Sequence, residues 1–206
     1  MRPSARSRPL LVLAPIAGAV VVGMVFTVLR TARAHVVPPT YGEVPAFVLI
    51  DQDGQPVSTD TLRGSVWVAD FIFTRCAGQC PLMSAQMARL ARALRHHRSV
   101  KLVSFTVDPE WDTPPVLADY AKSYGASGDQ WSFVTGDPQE LFQLCQDGFR
   151  LAVAEGGGTT EEPITHSVRW VLVDPTGQIR GYYDATDATQ LARLRRDLRR
   201  LLRNPS

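Results

Sequence analysis

Cys76-Ala77-Gly78-Gln79-Cys80-Pro81 concentrates more reactive chemistry than any other segment of this chain. It falls where an apolar run, residues 65–73, gives way to a stretch of helical periodicity. A strand-to-helix junction matters to thiols in three ways. The first N–H groups of a helix have no intrahelical partner, and its N-terminal end carries partial positive charge, so thiolate is favoured there. Cysteines four positions apart can share one helix face and offer both sulfurs to a common partner. The carboxyl end of a parallel strand is also where α/β sheets usually place ligands. Two chemistries use such a pair. One is thiol–disulfide exchange, in which one thiolate attacks and the other cysteine resolves. The other is a soft-metal site, with two thiolates suited to Cu(I) and, less selectively, to zinc. A structural disulfide is the third reading, and the position at a junction argues against it.

Four histidines are available as further ligands: His35, His96, His97 and His166. His35 lies in a proline-rich segment. His96 and His97 end a helix beside Arg95 and Arg98, where cations suit the dipole. Solvent-exposed roles are expected of these three. His166 follows the glycine-containing loop 156–163 and precedes an apolar strand, which puts it on a rim of the sheet. Position alone makes it a polar surface residue. Joined to two thiolates, its imidazole would complete a three-coordinate Cu(I) site able to accept another ligand on oxidation.

These groups need a scaffold, and the hydrophobic pattern supplies one. Residues 65–73 (SVWVADFIF) and 100–107 (VKLVSFTV) read as strands buried on both faces. Between them Met83, Met87, Leu90 and Leu94 recur at spacings of four, three and four, the stripe of a buried helix face. Residues 47–50 form a short strand entering a turn at 51–54. Asp112-Thr113-Pro114 opens a helix to about Tyr124, and Asp137-Pro138 repeats that device. Residues 149–154 read as another short strand. Residues 168–173 and 179–183 pair as a hairpin about the Asp174-Pro175-Thr176-Gly177 turn. The last helix carries Leu191, Leu194, Leu198 and Leu201 on one stripe, with arginines around the rest. Alternating strands and helices imply an α/β fold: a central mixed sheet flanked by helices, with an antiparallel pair at one end.

Residues 10–29 contain no charge and are mostly Leu, Val, Ala, Ile, Met and Phe. About 20 such residues span a bilayer as a helix. Arginines on both sides, three before and two after, favour a cytoplasmic N-terminus. Ala32-Arg33-Ala34 would serve as a cleavage site if the segment were a signal peptide. Either way the remainder is exported, into a compartment that oxidises thiols. The expected organisation is therefore an anchor or signal segment at 1–34, an extended tether at 35–46 with Pro38, Pro39 and Pro45, and one domain at 47–206. Five of the 22 basic residues precede the first acid, Glu43, which leaves 17 against 20 acids beyond it. That balance excludes a nucleic-acid-binding surface.

Four ordered motifs carry a resemblance. Phe73-Thr74-Arg75-Cys76 with Cys80-Pro81, Val107-Asp108-Pro109-Glu110 with Asp112-Thr113-Pro114, Trp131, Phe133 and Thr135-Gly136, and Thr165-His166-Ser167 before a strand ending in Val173-Asp174 resemble the Sco/SenC/PrrC family. The match runs from about Phe47 to Leu202. It implies a thioredoxin-like fold tethered to the membrane by an N-terminal transmembrane helix, with the domain on the extracytoplasmic side. It implies copper binding by Cys76, Cys80 and His166 in the reduced protein. The implied role is metallochaperone or thiol reductant in assembling the copper-A centre of cytochrome c oxidase. Implied partners are its copper-A subunit and other copper chaperones or thiol reductants. If the protein is instead a thiol–disulfide oxidoreductase, Cys76 and Cys80 are its redox-active pair.

One departure is visible. The family commonly has proline after the first cysteine, and here Ala77 and Gly78 follow it, so a looser loop and differently poised thiols are expected. Asp108 and Asp112 match a family signature and would orient the site, but helix capping explains them equally well. Cys145, beside Phe142 on an apolar helix, is expected in the core. Met83 and Met87 are expected to pack, though as soft ligands they suit copper. The arginine-rich last helix reads as a solvated face, with contact to anionic lipid as its alternative.

Overall fold

The computed structural model describes residues 23–24, 38–126, 129–151, 153–155 and 164–203. Residues 23–24 are helical. The rest of the apolar 10–29 stretch, and His35, lie outside the described residues. Among those described, no helix is long and apolar enough to cross a membrane.

From Pro38 onward the chain is one compact unit. Its sheet has eight strands: β1 (Gly42–Glu43), β2 (Val48–Asp51), β3 (Pro56–Ser58), β4 (Val66–Ile72), β5 (Val100–Thr106), β6 (Trp131–Thr135), β9 (Arg169–Val173) and β10 (Gln178–Asp184). Their order is β1-β10-β9-β4-β5-β6-β2-β3. β4, β5 and β6 run parallel at the centre. Antiparallel strands flank them on both sides, with β9 against β4 and β2 against β6. Two short strands, β7 (Val153–Glu155) and β8 (Ile164–His166), pair separately. Helices are α1 (Thr59–Leu62), α2 (Gln79–Leu94), α3 (Pro114–Ser123), α4 (Pro138–Gln143) and α5 (Ala188–Arg203).

Every residue of β4 is buried. Side chains alternate across a strand, so β4 serves two cores. Val66, Val68 and Ile72 join Met83, Met87, Leu117, Leu191 and Leu198 beneath α2, α3 and α5. Trp67, Ala69 and Phe71 face the other way, toward Phe47, Phe105, Leu144 and Phe149. A continuous apolar run is what two-sided burial requires.

The structure departs from the expected elements in several places, and antiparallel strands lie on both sides of the parallel centre where one side was expected. Part of the segment read as a tether belongs to the folded unit: Gly42–Glu43 pair with β10, Val44 is buried, and Arg180 donates to the Pro38 carbonyl and the Thr40 hydroxyl. Residues 149–151 are not a strand. Phe149 and Leu151 are core residues following a π-helical turn, Leu144–Gly148, and only Val153–Glu155 pairs. Phe142, expected on an apolar helix face, is exposed, whereas Cys145 is buried in the second core as expected.

Candidate metal centre

The cysteine loop begins where β4 ends, and the loop after β5 pins it there. Asp112 is fully buried. Its carboxylate accepts the Thr74 N–H at 3.1 Å, the Thr74 hydroxyl, and the Thr106 hydroxyl at 2.6 Å. Burial raises the Asp112 pKa, and the Thr106 and Thr74 donors partly offset it. Asp108 holds the next residue: Arg75 donates to it through Nε at 3.0 Å and through Nη2 at 2.6 Å. The same guanidinium lies 4.6 Å from the centre of the Trp111 ring, a cation–π distance. Capping does not explain Asp112. The residue that caps α3 is Thr113, which makes no side-chain cap bond, while Asp112 turns inward to the cysteine loop.

Cys76 and Cys80 are brought together, though not on one helix face. α2 starts at Gln79 after Gly78, so only Cys80 is helical. The Phe73 carbonyl accepts the Cys76 N–H at 3.3 Å, folding the loop back, and the Cys80 N–H then donates to the Cys76 sulfur at 3.4 Å. Both are thiols in this structure. Cys76 is 8% exposed and Cys80 is wholly buried. The helix end does not make Cys80 acidic as expected. Its side-chain hydrogen bond with Cys76, then burial, push its pKa far above the ordinary thiol value, and the charges of Cys76 and Asp70 add to this. The first turn of the helix instead points the Cys80 amide at the Cys76 sulfur.

The chain segment of His166 leaves the sheet at the same end. β9 runs antiparallel to β4, with Trp67 opposite Val173 and Ala69 opposite Val171, so the start of β9 lies beside the end of β4. His166, expected in a loop, is the last residue of β8, opposite Val153 of β7. Only Ser167 and Val168 separate it from β9. The imidazole itself is outside the description. Among the described residues, no three His, Cys, Asp or Glu side chains form a metal-holding group.

The other candidates separate clearly. Met83 and Met87 are fully buried packing residues. Cys145 is a core thiol whose pKa burial pushes up to about 12. His96 and His97 are exposed beyond the end of α2, and the His96 ring accepts from Arg95. Sequence reasoning missed the bracing roles of Thr74, Arg75 and Trp111, which only the meeting of two distant loops reveals. It also passed over Asp70, fully buried on β4 and close enough to Cys80 for its charge to act there. A lone carboxylate inside SVWVADFIF was the available signal.

A mixed sheet between helices, with a dithiol at the end of its central strand, defines a thioredoxin-like protein. The SCO1/SenC family profile matches residues 38–203, and the chain belongs to that family. It is 38% identical over 153 residues to the SCO1 protein homolog of Bacillus subtilis (strain 168), covering 73% of this chain and 78% of the relative. It is 32% identical over 149 residues to a Stutzerimonas stutzeri protein provisionally named as copper-binding, covering 71% and 72%. Among solved structures it resembles BsSco, described as a member of the Sco family of cytochrome c oxidase assembly proteins with a disulfide switch. The TM-score there is 0.69 at 34% identity, with 79% of this chain and 94% of that one covered.

Proposed function

We propose that this protein binds copper through the Cys76 and Cys80 thiolates and the His166 imidazole, and delivers it for assembly of the copper-A centre of cytochrome c oxidase. The observation that carries the proposal is the braced dithiol at the end of β4, at the sheet end from which the His166 segment departs. The donor set fits the metal: two soft thiolates and an imidazole suit Cu(I). The S. stutzeri relative's name and the oxidase-assembly role given for BsSco support the same reading. Copper is cargo here. Cys76, the less buried of the two cysteines, is the ligand an acceptor would replace first, so that the ion passes over one ligand at a time and is never free. The apolar 10–29 stretch supports membrane tethering with the domain on the extracytoplasmic side. Tethering raises the effective concentration near a membrane-embedded acceptor without new contacts.

Anaerobic copper loading of the unit 38–206, with and without prior reduction, tests this. One Cu(I) per reduced chain and none on the disulfide form is expected. Equal loading of both forms would overturn the role of the thiols.

Thiol–disulfide exchange is the second reading, favoured by a specific asymmetry. Cys76 keeps 8% of its exposure while Cys80 is wholly buried, an asymmetry that suits an attacking and a resolving cysteine. The disulfide switch described for BsSco points the same way. This activity needs both cysteines and not His166, so turnover that survives His166→Ala identifies it.

A further inference from the structure

A cavity of about 370 Å³ is lined by Tyr41, Arg150, Leu151, Ser167, Arg169 and Tyr182. Three features of its lining belong to a ligand site. Arg150 and Arg169 both face it, and neither makes an ion pair among the described residues. Asp184, opposite Arg169 in the β10–β9 ladder, feels its charge but forms no ion pair with it, and gives its Oδ1 to the amide and hydroxyl of Thr186. The Tyr182 hydroxyl is buried and has no hydrogen-bond partner among the described residues, with the charges of both arginines acting on it. A buried hydroxyl without a partner is costly, and native folds rarely leave one unexplained.

Backbone geometry points the same way. Arg150 is the one described non-glycine residue with positive φ, at 54°. That conformation is unfavourable for a side chain and tends to persist where function requires it. It carries the guanidinium over β1, where a Cβ on Gly42 would lie 3.4 Å from Arg150 Nη2. Tyr41 and Tyr182 stack edge to face, 5.7 Å between centres, forming an apolar wall.

We propose that this cavity binds an organic carboxylate, held between the Arg150 and Arg169 guanidiniums with the Tyr182 hydroxyl donating to it. Guanidinium forks match the planar carboxylate and form strong charge-assisted bonds. The volume falls within the range of about 300–1,000 Å³ typical of small-molecule sites, larger than a bare inorganic anion fills. The tyrosine wall suits the carbon skeleton of an acid. Two sources offer this chemistry: an acidic side chain of a partner protein, or a free small acid. The site straddles the base of the β7–β8 excursion. Arg150 and Leu151 lie just before β7, while Ser167 and Arg169 lie just after β8. A bound carboxylate therefore cross-links the two ends of the segment carrying His166. Its influence on metal capture rests on the copper reading; the binding itself does not.

The test uses the reduced, metal-free unit 38–206, which contains both cores. It is titrated with glutarate, with a short glutamate-rich peptide, and with inorganic phosphate, following ring signals of Tyr41 and Tyr182 by NMR and amide exchange in β7 and β8. Saturable shifts with a carboxylate and slower exchange of β7 and β8 are expected. Arg150→Gln and Arg169→Gln should each weaken binding at least about tenfold, and Tyr182→Phe by a smaller factor. Tighter binding of the peptide than of glutarate identifies a partner's acidic segment as the source, and the reverse identifies a free acid. No saturable shift with either carboxylate overturns the proposal. So does undiminished binding by the doubly substituted protein, or phosphate binding as tightly as both acids. Because no copper is present, failure here leaves the copper reading standing, and failure of copper loading leaves this one.

Discussion

Removing the Asp112 carboxylate should loosen the cysteine loop and cost stability by an amount the structure lets one work out. Asp112→Ala leaves the Thr74 amide and two hydroxyls, of Thr74 and Thr106, without their acceptor in a buried place. The amide cannot turn away, and an unsatisfied buried donor costs about 1–3 kcal/mol. The Thr106 hydroxyl can rotate and already accepts the Asp108 N–H, so each hydroxyl loses about 0.5–1 kcal/mol. The total is about 3 kcal/mol, a large fraction of a typical domain's about 5–15 kcal/mol. The sign of the pH dependence follows from the raised pKa: folding favours the protonated carboxyl. The wild type's advantage is therefore largest below the ordinary carboxylate range, and shrinks as pH rises through the folded value. Urea unfolding of both proteins from pH 4 to 8 reads this from the midpoint at constant m-value. A loss under about 1 kcal/mol would refute the bracing argument, and an advantage that grows with pH would refute the raised pKa.

Other consequences are simpler to check. Asp174 is fully buried; burial would raise its pKa, but bonds from Thr176, Gln178 and Arg180 together hold it below the usual range. Its advantage over Asp174→Asn should be present at neutral pH and vanish as pH falls through that lowered value, read by thermal unfolding across the acid range. A Cβ at Gly181 would lie 2.7 Å from Tyr183 Cζ in a ring with no room to move, so Gly181→Ala should cost about 1–3 kcal/mol by urea unfolding. Cys145 stays protonated at neutral pH, so iodoacetamide should label Cys76 well before Cys145, and Cys145→Ala should leave copper stoichiometry unchanged. Mass spectrometry of the labelled peptides decides the order.

Much of the scaffold was legible because its signals are local. β4 announced itself as an unbroken apolar run, α2 as a methionine and leucine stripe, and the β9–β10 hairpin through Asp174-Pro175-Thr176-Gly177. The β6 strand, Trp131–Thr135, was visible only as part of a motif, and β3 was not seen at all. Three residues that include proline, at a sheet edge, leave no periodic pattern. The tether was misjudged because Pro38, Pro39 and Pro45 speak against a ladder, whereas the two residues that pair, Gly42 and Glu43, lie between them.

At the site, spacing identified the dithiol but misassigned its geometry. Four-residue separation suggests one helix face, yet the helix begins too late to include Cys76, and a loop hydrogen bond replaces the helical register. The weighing of Asp108 and Asp112 could not be settled from sequence. Capping and bracing use the same residue types, and the partners Thr74 and Arg75 are more than thirty positions away. Asp197 was hidden for a similar reason. It sits within the leucine stripe of α5, buried, where Tyr183 and Arg200 reach it.

The central claim is that two sulfurs and one imidazole act on the same ion. Anaerobic competition for Cu(I) between a calibrated chelator and the reduced unit 38–206, run beside His166→Ala, measures it directly. The account predicts one ion per chain and an affinity at least about tenfold weaker in the variant, or ~1.4 kcal/mol. An affinity unchanged by His166→Ala would contradict it, leaving a dithiol without its third ligand.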